Sequence, residues 1–547
     1  MPSGHSRRDL LAAFLGLPAA LAGGCGRTPP LPEGEIVGTS AGFGHALRDG
    51  PRPEPAADAW RTVPVVIVGA GVAGLAAAWR LRRAGFDDFL VLELEGAAGG
   101  TARAGNSGVV PHPWGAHYVP APLKEDRVLV LLLREMGAVE GEDEHGEPIV
   151  AEEVLCRDPH ERVHYRGRWY EGLYLHAGES DEDRAQVERF YQEVDRWVAW
   201  RDGRGRRAFA LPSAAGSDDA EVTALDRLSM AEWLGRHGLS SPRLRWLIDY
   251  ACRDDYGATA ADTSAWAGLF YFAARRRAPG AEPQPLMTWP EGNGRLVAHL
   301  AKPLKERLRL GVGVAEVIPT GPAGKNGVDV VAVEERSRRA VGFHAEQVIF
   351  AAPQFMARHV LRPYRESPPA HVAAFEYGSW LVANLHLRGR PAEGGAPLAW
   401  DNVFYESPSL GYVVATHQRG LDHGPTIFTW YYPFTEPDAT AGRRRLLGLG
   451  WADCAELALS DLGQAHADIH RLTTRLDVMR WGHAMVRPKP GFRWGAARRK
   501  AAAPYRAVHF AHTDLSGLAL FEEAFYHGLR AAEEVLAARG VRSPSLL

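Results

Sequence analysis

Cysteine is scarce in this chain: four in 547 residues, Cys25, Cys156, Cys252 and Cys454, with no CxxC pair and no CxxCH. Clustered thiolate metal sites and covalent haem attachment have no support in such a pattern, and no metal is expected. An excess of either charge is missing too. The 63 Lys and Arg oppose 66 Asp and Glu, a formal net charge of −3. Nothing marks a nucleic-acid partner, and no run of like charges marks an interaction tail. A short basic cluster, Arg275-Arg276-Arg277, reads as a solvated helix end. No internal repeat is visible. The apolar stretch near the N-terminus, Leu10 to about Ala22, is too short to span a bilayer comfortably. What remains is ordinary globular composition, 46% hydrophobic and 24% charged, over a length that suits two or more domains or one large interleaved enzyme.

The first residues read as an address rather than a fold. Ser6-Arg7-Arg8-Asp9-Leu10-Leu11 looks like a twin-arginine export signal, with the apolar stretch directly behind it. Two processing patterns compete. Ala20-Leu21-Ala22 has the small-x-small form of ordinary cleavage, whereas Ala22-Gly23-Gly24-Cys25 resembles a lipoprotein box that would acylate Cys25 and tether the protein to a membrane. Residues 1–25 are expected to be the signal, and the Pro-, Gly- and Ala-rich residues 26–60 a linker. The expected location is the periplasm or the outer face of the cytoplasmic membrane.

A nucleotide fingerprint follows. Val65-Val66-Ile67-Val68 reads as a buried parallel strand, Gly69-Ala70-Gly71-Val72-Ala73-Gly74 as a turn, Leu75 to Ala84 as a helix, and Phe89 to Glu93 as a second strand. Each glycine has a task. Gly69 permits the tight turn, Gly71 lets backbone approach a diphosphate, and Gly74 lets helix and strand pack closely. The diphosphate would sit on the free N–H groups of the helix start. Glu93 falls where a carboxylate reaches the ribose hydroxyls, and it would repel a 2′-phosphate, which disfavours NADP.

Beyond Glu93 come Leu94-Glu95-Gly96-Ala97-Ala98, then Gly99-Gly100-Thr101-Ala102-Arg103. This spacing resembles the flavin-containing amine oxidase superfamily, which also holds phytoene desaturases and protoporphyrinogen oxidases. Thr101 stands at the usual arginine position, and Arg103 lies two further on. The resemblance recurs at Trp114-Gly115-Ala116-His117-Tyr118-Val119-Pro120, at Trp289 to Leu296, at Val312 to Ile318 and at Val348 to Pro353. It recurs again at Val508 to Asp514 with the helix expected at Leu520 to Ala538. The resemblance implies FAD as cofactor. It implies that Ala70, Ala73, Leu94, Gly100, Thr101, Arg103, Gly115, Ala116, Val314 and Asp514 join Gly69, Gly71, Gly74 and Glu93 around it. Val314 would meet the adenine, Asp514 the ribitol or diphosphate, and Gly115-Ala116 the flavin ring.

The fold class expected is α/β: a Rossmann-type FAD domain interleaved with an α+β substrate domain. The FAD domain would be assembled from residues 61–120, 285–355 and 475–540. The substrate domain would be assembled from 121–284 and 356–474. The chemistry implied is hydride transfer from a small organic substrate, an amine or polyamine, to flavin N5, with oxygen or a quinone or redox partner as electron acceptor. His117 is the polar candidate beside the ring. The sequence departs from the family where a lysine usually faces the flavin, since Gly378 to Leu387 has none. Leu520 takes an aromatic cage position and Glu523 a frequent glycine. These departures leave two alternatives: a desaturase or isomerase of an apolar substrate, or a non-catalytic flavin-bearing relay subunit.

Overall fold

The computed structural model describes residues 30–320 and 327–547. The twin-arginine motif, the apolar stretch behind it and Cys25 lie outside the described residues. In chain order, the elements that position the site are as follows. The first are β1 (Ile36–Gly38), α1 (Ala41–Asp49), β2 (Trp60–Val68), α2 (Val72–Arg83) and β3 (Phe89–Glu93). Then come β4 (Glu161–Tyr165), β5 (Arg168–Glu171), α3 (Pro242–Tyr256) and α4 (Ala265–Ala273). Next are β6 (Leu308–Leu310), β7 (Val312–Pro319), β8 (Val328–Glu334), β9 (Ala340–Phe350), β10 (Tyr377–Leu387), β11 (Asp401–Phe404), β12 (Tyr412–Val414) and β13 (Thr426–Phe434). The last are β14 (Thr473–Val486), β15 (Val508–Phe510) and α5 (Phe521–Ala538).

Two large sheets carry these elements. The first runs β6-β3-β2-β9-β8-β7, with β15 beside β9. The pairs β6–β3, β3–β2, β2–β9 and β9–β15 are parallel, and β7, β8 and β9 form an antiparallel meander. Val65, Val66 and Ile67 are fully buried because layers cover both faces of this sheet. α2 lies on one face, buried from Val72 to Leu81. It packs on α5 so closely that a Cβ on Gly528 would lie 2.2 Å from the Ala73 carbonyl oxygen. Arg80, the polar group this contact buries, donates to Glu533 at 2.8 Å and to the Pro544 carbonyl at 2.7 Å, which meets the demand of a buried cation for partners.

The second sheet runs β1-β14-β10-β13-β12-β11-β4-β5. Its long central pair, β10 and β14, is antiparallel, with Trp380 opposite Trp481. Helix α3 packs beside it, with Tyr250 reaching Asp401 of β11, and α4 packs on α3. α3 begins where Ser241 accepts from the Leu244 N–H, with Pro242 in its first turn. It ends at Gly257, whose φ of 59° is open to glycine at little cost. Among the described residues no helix is long and apolar enough to cross a membrane.

Three sequence expectations are corrected. Residues 26–60 are not a linker throughout: β1 pairs in parallel with β14, and α1 packs on β7. The glycine and proline content hid a short strand and a helix that draw their stability from tertiary contacts. The third FAD segment does not begin at 475, because β14 is a strand of the second sheet; the chain returns to the first sheet at Val508. The arginine cluster is not a solvated helix end, because Arg275 is buried and donates to Asp255 at 2.6 Å. Gly528→Ala is expected to lower the stability of the FAD-loaded protein by about 1–3 kcal/mol, since the added methyl meets backbone that cannot swing aside. Chemical denaturation checks it, and an unchanged midpoint would show that α2 and α5 separate without penalty.

Candidate active site

At the end of β2 the chain turns through Gly69, whose φ is 99° and whose Cβ, if present, would lie 3.0 Å from the Ala351 carbonyl oxygen. A Cβ on Gly74 would lie 1.9 Å from the Gly69 carbonyl oxygen, so both positions require glycine. A Cβ on Gly71 would meet nothing within 4 Å. Gly71 caps α2, and no side chain satisfies the first N–H groups of the helix. Open space over unpaired donors at a helix start fits a diphosphate. Ala70 and Ala73 flank this turn, and Gly99 donates to the Ala70 carbonyl at 2.8 Å. The Gly99-Gly100 pair, with φ of 114° and 56°, is thereby set against Gly71.

Glu93 ends β3 with its carboxylate buried. Oε2 accepts from the Ala70 N–H at 2.6 Å and Oε1 from the Glu95 N–H at 2.9 Å. Burial raises its pKa, and these two hydrogen bonds oppose the rise. Leu94 packs toward Gly313, the neighbour of Val314 on β7. Arg103 donates to Glu95 at 3.2 Å and lies 5.0 Å from the Trp481 ring centroid. Asp514 is wholly buried. Its Oδ2 accepts from the Gln354 N–H at 2.7 Å and the Tyr377 hydroxyl at 2.6 Å, and its Oδ1 lies 2.9 Å from His512 Nδ1. Burial alone would raise this pKa, but the His512 charge and the hydrogen bonds together hold the carboxyl below its ordinary range. Beside it the Gln354 side-chain amide is 1% exposed, and both its polar atoms lack a partner. A polar ligand would relieve that cost.

A cavity of about 140 Å³ opens between the two sheets. Thr101, Gly115 and Ala116 line it from the loops after β3, Leu520 and Phe521 from the start of α5, and Trp481 from β14. The turn at Gly115 is pressed against Thr101: a Cβ there would lie 2.2 Å from the Thr101 carbonyl oxygen, and Ala116 donates to that oxygen at 2.9 Å. Two aromatics of the second sheet fasten the same turn. The Trp481 indole donates to the Trp114 carbonyl at 2.6 Å and the Tyr431 hydroxyl to the Gly115 carbonyl at 2.9 Å. His117 stacks on Tyr431 at 4.9 Å, and its Nδ1–H donates to the Gly115 carbonyl at 3.2 Å. Burial pushes its pKa down to about 4, so the ring is neutral at neutral pH.

The far wall is acidic. Asp254 and Asp255 end α3, Asp401 begins β11, and Glu522 stands in the first turn of α5; all four line the cavity with Arg275. The Tyr118 hydroxyl reaches Asp254 at 3.3 Å and Asp255 at 3.4 Å, and the Tyr250 hydroxyl reaches Asp401 at 3.3 Å. Arg275 is the one cation among the cavity's lining residues, and its hydrogen bond goes to Asp255. Burial, with Asp255 adding to it, raises the pKa of Asp254. Burial raises Asp401 far above the carboxylate range, and burial pushes Glu522 up to about 7. Desolvated carboxylates short of counter-charge hold protons or bind a cation.

The structure thus gathers Thr101, Gly115, Ala116 and His117 at the cavity, and the Gly69–Gly74 turn with Glu93 at the helix start. The strand without lysine sends Trp380 and Val382 into the cavity, and Leu520 lines it. Glu523 turns elsewhere: it accepts from the Ser213 N–H at 2.5 Å and hydroxyl at 2.9 Å, and from Ser516. Sequence reasoning missed Asp254, Asp401, Tyr250 and Arg275. The signal available was Asp254-Asp255 at the end of a helix stopped by Gly257, in which adjacent acids on an apolar element demand partners.

A family model for flavin containing amine oxidoreductases matches residues 72–536, and the chain belongs to that family. It is an FAD-dependent oxidoreductase of amine oxidase-like architecture. No curated protein matches its sequence. Solved structures share the fold. A doubly substituted putrescine oxidase is 17% identical, with a TM-score of 0.61 over 87% of this chain and 100% of the other. The cyclohexylamine oxidase of Brevibacterium oxydans is 16% identical, with a TM-score of 0.58 over 88% and 100%. The CLA-producing fatty acid isomerase of P. acnes is 14% identical, with a TM-score of 0.58 over 87% and 98%. Gly71→Leu, which fills the open space at the start of α2, is expected to yield a folded protein without bound flavin absorbance. Retention of FAD by that variant would move the diphosphate away from this helix.

Proposed function

We propose that this enzyme oxidises an amine that enters the cavity as a cation. The observation that carries this reading is the far wall: Asp254, Asp401 and Glu522 are desolvated there, and the lone arginine beside them already bonds Asp255. An ammonium group in reach of these carboxylates would be held by charge where water is sparse. Trp380, Tyr431 and Trp481 line the cavity with aromatic surface for the carbon skeleton. The oxidase activities carried in the names of the putrescine and cyclohexylamine enzymes point the same way.

FAD, when bound, supplies the two-electron acceptor for the substrate C–H bond. The chain's own residues bind, orient and manage a proton. An ammonium must lose its proton before the neighbouring C–H can leave as hydride, and Glu522, at about 7, is a cavity group able to hold that proton. Neutral His117 positions the Gly115 turn through its hydrogen bond to that carbonyl. The Gly69–Gly74 turn, Gly100, Arg103, Val314 and Asp514 would hold FAD. Oxygen, or a quinone or redox partner, would take the electrons, and peroxide release distinguishes the first from the others. The Arg7-Arg8 motif and the apolar stretch behind it support twin-arginine export to the periplasm or the outer face of the cytoplasmic membrane, with Cys25 as a lipid tether. A second reading, oxidation or isomerisation of an apolar substrate, draws on Val382, Leu410, Val413 and Met485 in the wall.

Anaerobic titration of the FAD-loaded enzyme with a panel of amines should bleach the flavin bands with at least one of them. Bleaching by polyenes or unsaturated acids alone would transfer the case to the second reading. Asp254→Asn should raise KM for the responsive amine by about tenfold or more, with a smaller change in kcat. Apparent affinity should rise between about pH 6 and about pH 8 as Glu522 loses its proton and becomes an anion. Glu522→Gln should flatten that rise, and a slope equal to that of the parent enzyme would remove Glu522 from the account.

A further inference from the structure

The family match begins at residue 72, and β1 and α1 lie before it. Their contacts converge on one place. β1 is held to the second sheet: Leu476 donates to the Glu33 carbonyl at 2.7 Å, Val478 to the Glu35 carbonyl at 2.9 Å, and Arg475 pairs with Glu35 at 2.7 Å. α1 is held to the first sheet. Phe43 and Leu47 press on Gly313, where a Cβ would lie 2.4 Å from Leu47 Cδ1, 2.9 Å from Leu94 Cδ1 and 3.0 Å from Phe43 Cε1. Between them, Ser40 donates its N–H and hydroxyl to the Glu95 carboxylate at 2.9 and 3.1 Å. The Glu95 N–H in turn donates to Glu93.

Residues 33–52 therefore bridge the two sheets over Leu94, Glu95 and Gly313. These residues flank Glu93, where the ribose is held in such folds, and Val314. We propose that this segment is a cofactor-retaining strap: it closes the adenosine end of the FAD cleft, and FAD leaves only when the strap lifts. Its hold is light enough to allow lifting. Phe43 is the only buried residue of α1, and Ser40 makes no side-chain cap to that helix. The Ser40 hydroxyl instead goes to Glu95, which Arg103 also grips. The strap thus senses the same residues that position the cofactor's ribose, and cofactor and strap stabilise each other through a shared wall.

The test uses the full, FAD-loaded chain. In a Ser40→Ala/Phe43→Ser/Leu47→Ser variant, the release of flavin after dilution, followed by the fluorescence of the freed cofactor, should be about tenfold faster or more. Release within twofold of the parent would overturn the proposal. If that variant does not fold, hydrogen exchange of the parent decides. The amides of residues 41–49 should exchange about tenfold more slowly with FAD bound than without it, and equal exchange in the two states would show that the strap ignores the cofactor. Neither readout depends on turnover, so both stand whatever substrate the enzyme takes.

Discussion

The close approach of α2 to the strand before it is the constraint on which the rest depends. Gly74 lies over the Gly69 carbonyl at a separation no side chain permits, and that contact aims the first turn of α2 at open space. The same helix carries Arg80 and Ala73, which receive α5 at Gly528. α5 in turn brings Phe521 and Glu522 to the cavity. One backbone contact thus aims the helix dipole at the open space before α2 and, through helix packing, fixes the distant end of the chain at the cavity. A looser packing at Gly74 would shift both together.

The cavity is an electrostatic compromise between the sheets. Burying several carboxylates near one arginine would be costly if all were ionised. The structure avoids this by raising the pKa of Asp254, Asp401 and Glu522 and by tying Asp255 to Arg275 and Asp254 and Asp255 to the Tyr118 hydroxyl. Such a wall is quiet while its acids hold protons, and a cation entering it would draw those protons off. Its acids come from α3, β11 and α5, so the acidic wall belongs to the assembled fold and to no single segment.

Legibility in the sequence followed locality. The strand-turn-helix at Val65–Arg83 and the carboxylate at Glu93 were readable because strand, glycine spacing and acidic residue lie within about 30 residues of one another, as a βαβ unit demands. The strand at Val508 and the helix behind it were readable as elements, but their place at the FAD domain came only through resemblance, because the strand pairs with β9 and the helix packs on α2, both far away in the chain. The acidic wall was not readable. Asp401 gains its meaning from Tyr250, and Arg275 from Asp255, by contacts that no periodicity reports. β1 was missed for a related reason: three residues of ordinary composition become a strand only because β14 presents an open edge. Residues 475–486 were grouped with the FAD domain, whereas β14 pairs with β10 and β1 in the second sheet, and pairing alone decides.

The missing lysine and the leucine at position 520 look at first like the loss of a catalytic wall. The geometry argues for a relocated wall. The resemblance implies an aromatic at the start of the last helix; here that site is Leu520, and the aromatics come from neighbouring strands of the second sheet as Trp380, Tyr431 and Trp481. Two of them also hydrogen-bond the Trp114–Gly115 backbone, so the groups that shape the substrate side fix the turn on the opposite wall of the cavity as well. Rings on a central sheet are held more rigidly than a ring on a helix start, because strand pairing on both sides fixes their backbone. A wall built this way keeps its aromatic character while the first turn of α5 carries an acid. Glu522 can stand in the cavity because the aromatic duty has moved elsewhere, and this exchange turns a departure from the family pattern into a consistent site.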